Sequence, residues 1–167
     1  TSASISAESA EEARIIIQFP ISGTDTAIET IHRDRNDNKI PAQGKVSFYL
    51  RMFNAPHAES TPEDFDLDVK IISKSWSEGR GLDMDTYSDT GFSSFLSASS
   101  GSAWNEPGGD FHSLTDTDNF SASVNFKHGF EDIEIDVTTA VENWIDGTKE
   151  NYGFLLKHVA SSLSGNN

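Results

Sequence analysis

Hydrophobic and polar residues alternate along 45–53, where Val46, Phe48, Leu50 and Met52 are separated by Ser47, Tyr49 and Arg51. A period of two puts successive side chains on opposite faces of a strand, so the even-numbered face of this segment is assigned to a core. Leu67, Val69 and Ile71 alternate with Asp66, Asp68 and Lys70 in the same way, and Ala122, Val124 and Phe126 mark a further strand. Arg14-Ile15-Ile16-Ile17-Gln18-Phe19 opens a β-branched run over 14–21, the pattern of a strand buried on both faces, with Pro20 restricting pairing near its end.

The segment 133–157 reads strand, helix, strand. Ile133-Glu134-Ile135-Asp136-Val137 alternates apolar residues with acids, and Thr139-Ala140-Val141-Glu142 then has the spacing of a capping box, in which hydroxyl and carboxylate satisfy the orphan N–H groups of a helix start. Val141, Trp144 and Ile145 stand at i, i+3 and i+4, and Gly147 is placed to end the helix in a left-handed conformation after about two turns. A helix that short is unstable alone, so Trp144 is expected to be held by packing against the end of a β-sandwich. Asn151-Tyr152-Gly153-Phe154-Leu155-Leu156-Lys157 then opens an apolar strand.

Between these elements the pattern weakens. Residues 22–44 carry the turn formers Gly23, Asn36-Asp37-Asn38, Pro41 and Gly44 around a short 27–32 segment, which reads as a connecting excursion. From 76 to 115 Gly, Ser and Asp accumulate in a long loop region, with Phe92, Phe95, Leu96, Trp104 and Phe111 as its expected anchors. Several short strands, no repeat and no long amphipathic helix predict an all-β fold, a sandwich with one short helix near the C-terminus.

The chain has 167 residues, the size of one domain with a single core. We expect 13–159 to form it, with 1–12 as a flexible acidic arm too poor in apolar area to pack alone and 160–167 as a flexible tail. Thr1 stands where a Met would open a chain, which is compatible with processing, truncation or excision from a longer polypeptide. Lys and Arg number 12 against 27 Asp and Glu, a net charge of −15 that argues against a basic groove for nucleic acid and against an anionic membrane surface. There is no cysteine, so stability must come from packing without disulfides.

The order of strand, Asp136-Val137-Thr138, a helix bearing Trp144, then Asn151-Tyr152-Gly153-Phe154 and an apolar strand resembles the C-terminal half of DNRLRE-type domains. That family comprises extracellular or surface β-sandwiches of jelly-roll character, found in bacterial secreted proteins and phage virion proteins, and related modules bind polysaccharide. Ser73-Lys74-Ser75-Trp76-Ser77-Glu78-Gly79, followed by Gly81-Leu82-Asp83-Met84-Asp85-Thr86-Tyr87-Ser88-Asp89-Thr90-Gly91, resembles a segment of tailed-phage structural proteins, notably from marine phages. An Asn-Trp pair follows there; Ser94-Phe95 stands in its place here, keeping an aromatic and losing the amide. Trp104-Asn105-Glu106-Pro107-Gly108-Gly109-Asp110-Phe111 fits the same group, and the resemblance covers most of 11–158. It implies a jelly-roll-like virion structural protein on the particle exterior, a decoration, fibre or adhesion component without enzymatic activity. Its implied partners are virion subunits, including copies of itself, and a host-surface glycan. The alternative is a secreted polysaccharide-binding module attached to a carbohydrate-active enzyme.

Three groups of residues carry candidate chemistry. Asp83, Asp85 and Asp89 offer several oxygens from one loop, as Ca²⁺ requires; no other cofactor is expected. The spacing is not that of an EF-hand, since Tyr87, Ser88 and Ser94 stand where a ligand, the Gly and the bidentate Glu belong, and carboxylates that cap turns and face water explain the cluster more simply than a bound ion does. Trp76, Tyr87, Trp104 and Phe111 form the candidate surface for stacking a sugar or meeting a neighbouring subunit, the competing reading being that they fill the end of a small core. No hydrolase motif is present: the five histidines are scattered without His-Glu-x-x-His, and Gly91-Phe92-Ser93-Ser94-Phe95 lacks the final Gly of a nucleophile elbow.

Overall fold

The computed structural model describes residues 14–19, 27–56, 63–79, 91–112 and 120–159. The expected arm (1–12), the tail (160–167) and the end of the first strand at Pro20 and Ile21 lie outside them. The elements in order are β1 (Arg14–Ile17), α1 (Ala27–Asn36), β2 (Tyr49–Met52), β3 (Phe65–Ile71), β4 (Ser97–Ser99), β5 (Ser102–Ala103), β6 (Ser121–Phe126), β7 (Ile133–Asp136), α2 (Thr138–Ile145) and β8 (Phe154–Val159). Among the described residues the protein is thus all-β in class, with antiparallel sheets and two short helices.

The main sheet has the order β1-β8-β3-β6, while β2 pairs with β7 and β4 with β5. Every pairing is antiparallel. In the central register Val69 lies between Ala122 and Leu156, and Ile71 opposite Phe154. The alternation read from the sequence therefore sends Val69, Ile71, Phe154 and Leu156 to one face. There they share an apolar cluster with Leu50, Ile133 and Ile135 of the β2-β7 ribbon and with Ala140, Val141, Trp144 and Ile145 of α2. The other face also carries a cluster, in which Leu155 and Ile72 meet Ala98 and Trp104. β8 is buried on both faces for this reason, and its Phe154-Leu155-Leu156 run is apolar without alternation.

The even-numbered face of β2 is turned inward, Leu50 being buried while Tyr49 and Arg51 are exposed, as the alternation predicts. β1 departs from expectation. It is an edge strand paired only with β8 among the described strands, and Ile15 is exposed instead of covered.

Trp144 keeps 3% of its surface exposed and packs its ring 5.0 Å from that of Phe154, so the expectation that tertiary packing holds the short helix is met. Gly147 ends it with φ +76°. The expected capping box is absent, however. The N-cap residue is Val137, which makes no side-chain cap bond; Asp136 instead accepts from the Thr138 N–H at 2.9 Å, and Thr138 Oγ1 accepts from the Phe48 N–H at 2.9 Å. The hydrogen bonds from Thr138 hold the Asp136 carboxyl below the usual carboxylate range. A depressed folded-state pKa means that this cap contributes at neutral pH and is lost as pH falls through the lowered value.

Glu142 fails to close a capping box because a cation claims it. Arg35 of α1 grips the carboxylate with two bonds of 2.6 and 2.9 Å, both side chains being mostly buried at 12% and 8% exposure. α1 is the second helix that the sequence reading left inside a connecting excursion. Its Ile31 packs on the core, its Glu29 and its Arg33 and Arg35 suit the helix dipole, and His32 Nε2 donates to the Ile145 carbonyl at 2.9 Å. No residue of α1 is fully buried, so the bond to Glu142 is its main polar tether. Glu142→Ala leaves the mostly buried guanidinium without its partner, and about 3 kcal/mol of stability should be lost. Urea unfolding checks this, and amide exchange should quicken first in α1.

Candidate functional site

The second face of the main sheet concentrates the polar and aromatic groups singled out in the sequence. Residues 91–112 fold across it, tied near their start by the Ser93 N–H donating to the Ser77 carbonyl at 2.8 Å and at their end by three contacts: the Ser73 N–H donates to the Asp110 carbonyl at 3.0 Å, the His112 N–H to the Ile71 carbonyl at 3.1 Å, and Ile72 forms a bridge with Phe111. The β4-β5 hairpin lies within this segment, which the sequence reading took as loop; two strands of three and two residues are too short for a period of two to register.

Asp110 organises the segment. Its buried carboxylate accepts from the Asn105 N–H at 2.9 Å, the Glu106 N–H at 3.0 Å and the Asn105 side-chain amide at 2.8 Å, with Lys74 Nζ at 3.8 Å. Lys74 also donates to the Ala103 carbonyl. These donors converge on one buried side chain and fix the turn that carries residues 105–110. Asp110→Asn keeps the shape but turns an amide N–H toward those donors. About 2 kcal/mol should be lost, and hydrogen exchange should speed up at Asn105 and Glu106 while α2 amides are unchanged.

The expected contact aromatics are used inside this layer. Trp104 keeps 7% exposure and donates its indole N–H to the Ser94 carbonyl at 2.9 Å. Trp76 is half-buried and donates to the Tyr152 carbonyl at 2.8 Å. Phe111 is half-buried too, with Lys70 and Lys157 Nζ each 5.2 Å from its ring centroid. Trp76, Trp104 and Phe111 thus belong to one cluster on this face, as fillers more than as a free platform. Tyr87, Asp83, Asp85 and Asp89 lie outside the described residues. Among the described residues no group of three or more His, Asp or Glu side chains is gathered where a metal ion would sit.

The open feature here is a pocket of about 350 Å³ lined by Arg14, Ile16, Ser93, Ser94, Phe95 and Trp104, with Gly108 at its wall. Phe95 is 42% exposed, and the Arg14 guanidinium lies 5.3 Å from its ring centroid. Gly108, at φ +90°, leaves the room that the guanidinium fills. Ser94 Oγ is engaged as an acceptor for the Leu96 and Ser97 amides at 3.3 and 3.1 Å, which makes it a turn cap. Sequence reasoning named Phe95 as a loop anchor and as the aromatic standing in for the Trp of an Asn-Trp pair, and did not connect it to Arg14. The two are 81 positions apart, and their meeting depends on the 91–112 segment crossing β1.

Cations collect on this face. Arg14, Lys157 and Asp68 fall in one cross-strand row by register, and Lys70, only 6% exposed, lies beside Asp68 at 3.6 Å and donates to Ser121 Oγ at 3.2 Å. The odd-even pattern marked Lys70 as solvent-facing. Its burial follows from the layer that residues 91–112 add above it, which no local signal announces. With Lys74, four of the chain's 12 basic residues stand here against an overall charge of −15. Comparison with known proteins finds no matching family model, no matching curated protein and no matching solved structure.

Proposed function

We propose that this chain is a DNRLRE-like, jelly-roll-type sandwich that acts without catalysis, as an exterior component of a tailed-phage virion, by assembly and surface contact. The observation that carries the reading is the placement of Trp144. The strand–helix–strand unit on which the resemblance rests closes over a buried indole, and the β2-β7 ribbon shares that core with the main sheet. A body covered on both faces of its central strand suits a rigid spacer or decoration. The groups with chemical potential on the second face, Asp110, Ser94, Trp76 and Trp104, are engaged in holding loops, which fits contact better than turnover. Electron microscopy of intact particles labelled with antibody to the chain should show label on the exterior; particles that carry no label contradict the assignment.

One observation favours the second reading, a secreted polysaccharide-binding module. The pocket at Arg14, Ser93 and Phe95 offers an exposed ring, a guanidinium and a hydroxyl together, the groups that hold a sugar by its apolar face and polar edge. Affinity electrophoresis through a panel of polysaccharides separates the two. Retention lost in Phe95→Ala, with the fold intact, would replace the virion reading by the secreted one.

A further inference from the structure

The β2-β7 ribbon has an outer edge with nothing paired to it among the described residues. In the β2-β7 register Leu50 faces Ile135 and Met52 faces Ile133, and the Val137 N–H donates to the Phe48 carbonyl at 2.8 Å. Backbone groups alternate in direction along an antiparallel pair, so those of 48, 50 and 52 point to β7 while the N–H and C=O of Tyr49 and Arg51 point away. Beside this edge lies an apolar groove of about 420 Å³, walled by Phe19, Phe48, Val141, Trp144 and Phe154. Tyr49 and, just past the strand, Phe53 are exposed on the same ribbon at 50% and 76%.

We propose that this edge pairs with the same edge of a second copy, β2 to β2 about a two-fold axis through Leu50, so that the ribbons of both copies join into one sheet. In that register each Tyr49 exchanges both backbone hydrogen bonds with Arg51 of the second copy. The side chains suit it: within one copy the Arg51 guanidinium already lies 5.9 Å from the Tyr49 ring centroid, and opposing the two across the axis repeats that cation–ring contact. A tyrosine and an arginine two apart are complementary to their own antiparallel image, which is the condition an isologous contact sets. The incoming strand also closes the mouth of the groove, removing aromatic surface from water.

Charge selects this edge over its neighbour. The free edge of β7 carries Glu134 and Asp136, which would face like charges in any self-pairing, whereas on β2 the charged residue is Arg51, held 2.8 Å from Glu134. Edge charges of one sign are a standard guard against pairing, and β2 lacks that guard. Each copy carries −15 overall, so the contact works against long-range repulsion and strengthens as salt screens it. The inference rests on the assembly reading in naming one of its contacts, yet it concerns this chain alone and is tested apart from any particle.

The test is sedimentation equilibrium of the full chain across protein and salt concentrations. The expected result is a mass rising from 18.3 kDa to twice that value, with tighter association at higher salt. Arg51→Pro removes the outward N–H together with the guanidinium and its ion pair to Glu134 but leaves the backbone bonds to β7, and Arg51→Glu removes the cation alone; each should weaken dimerisation about tenfold or more, with near-ultraviolet circular dichroism unchanged. A further pair, Tyr49→Cys with Arg51→Cys in a chain that has no other cysteine, should oxidise to a covalent dimer. A monomer at every concentration and salt, or a dimer indifferent to both Arg51 variants, overturns the proposal. If the chain is monomeric and still labels particles, the β2 contact is refuted and the virion reading stands; if it dimerises and labels none, the converse holds.

Discussion

Gly153→Ala should cost about 4 kcal/mol or more, a large share of the roughly 5–15 kcal/mol that holds a domain together. Gly153 sits at φ +86°, where a Cβ strains the backbone, and the added carbon would land on the Ile17 carbonyl oxygen and the Gln18 backbone. These neighbours are main chain and have no rotamer to yield. The turn is also fastened from several sides. The Gly153 N–H donates to Asn151 Oδ1 at 3.0 Å, Asn151 Nδ2 to the Phe19 carbonyl at 2.9 Å, Gln18 Nε2 to the Asn151 carbonyl at 2.7 Å, and the Ile72 N–H to the Gly153 carbonyl at 3.0 Å. Relief by moving β1 breaks its ladder with β8; relief by moving the turn breaks the Asn151 network. Gly147→Ala is the control, since Gly147 has a similar φ of +76° but open space around it, and it should cost only about 1 kcal/mol. Urea unfolding of both variants decides the matter, and equal losses would mean that the close approach of β1 is wrong.

Trp144→Ala should lose about 3–5 kcal/mol, and Trp144→Phe less than about 1.5 kcal/mol. The first empties the place where α2 meets the main sheet, because the indole rests on Phe154 and shares its cluster with Leu50, Ile135 and Leu156. The second keeps a ring in the same space and removes an indole N–H that is buried without a hydrogen-bond partner among the described residues. Deleting an unsatisfied donor removes a penalty and offsets part of the lost area. Denaturation midpoints measured side by side check the order. A mild Ala variant would place Trp144 outside the core, and a Phe variant as damaging as Ala would mean that the N–H has a partner.

The sequence announced the parts of this fold whose signal is local and apolar. Alternation along 45–53, 66–71, 122–126 and 133–137 located β2, β3, β6 and β7, and the i, i+3, i+4 spacing of Val141, Trp144 and Ile145 gave the buried stripe of α2. What escaped notice depends on contacts far apart in the chain. α1 offers a narrow apolar stripe through Ile28 and Ile31 among charges, with no buried residue to mark it. Thr139 and Glu142 fit a capping box locally, but Arg35, 107 positions away, provides a charged partner that outweighs a terminal N–H. The candidate site follows the same division. Trp76, Trp104 and Phe111 were visible as aromatics in a polar stretch, while the Arg14–Phe95 contact and the buried position of Lys70 exist only because residues 91–112 lie across the sheet. Asp110 stood within the Trp104–Phe111 segment of the resemblance, yet its role gave no signal of its own, since a carboxylate gathering amides four and five positions earlier looks like any loop acid.

The central claim, that this chain works by taking its place in a particle, is tested most directly by quantitative mass spectrometry of virus particles purified on a density gradient from the culture that produces it. The account predicts peptides of the chain banding with the particles in a fixed ratio to the major structural protein. Recovery of the chain only in the particle-free medium, or bound to insoluble polysaccharide, would contradict it.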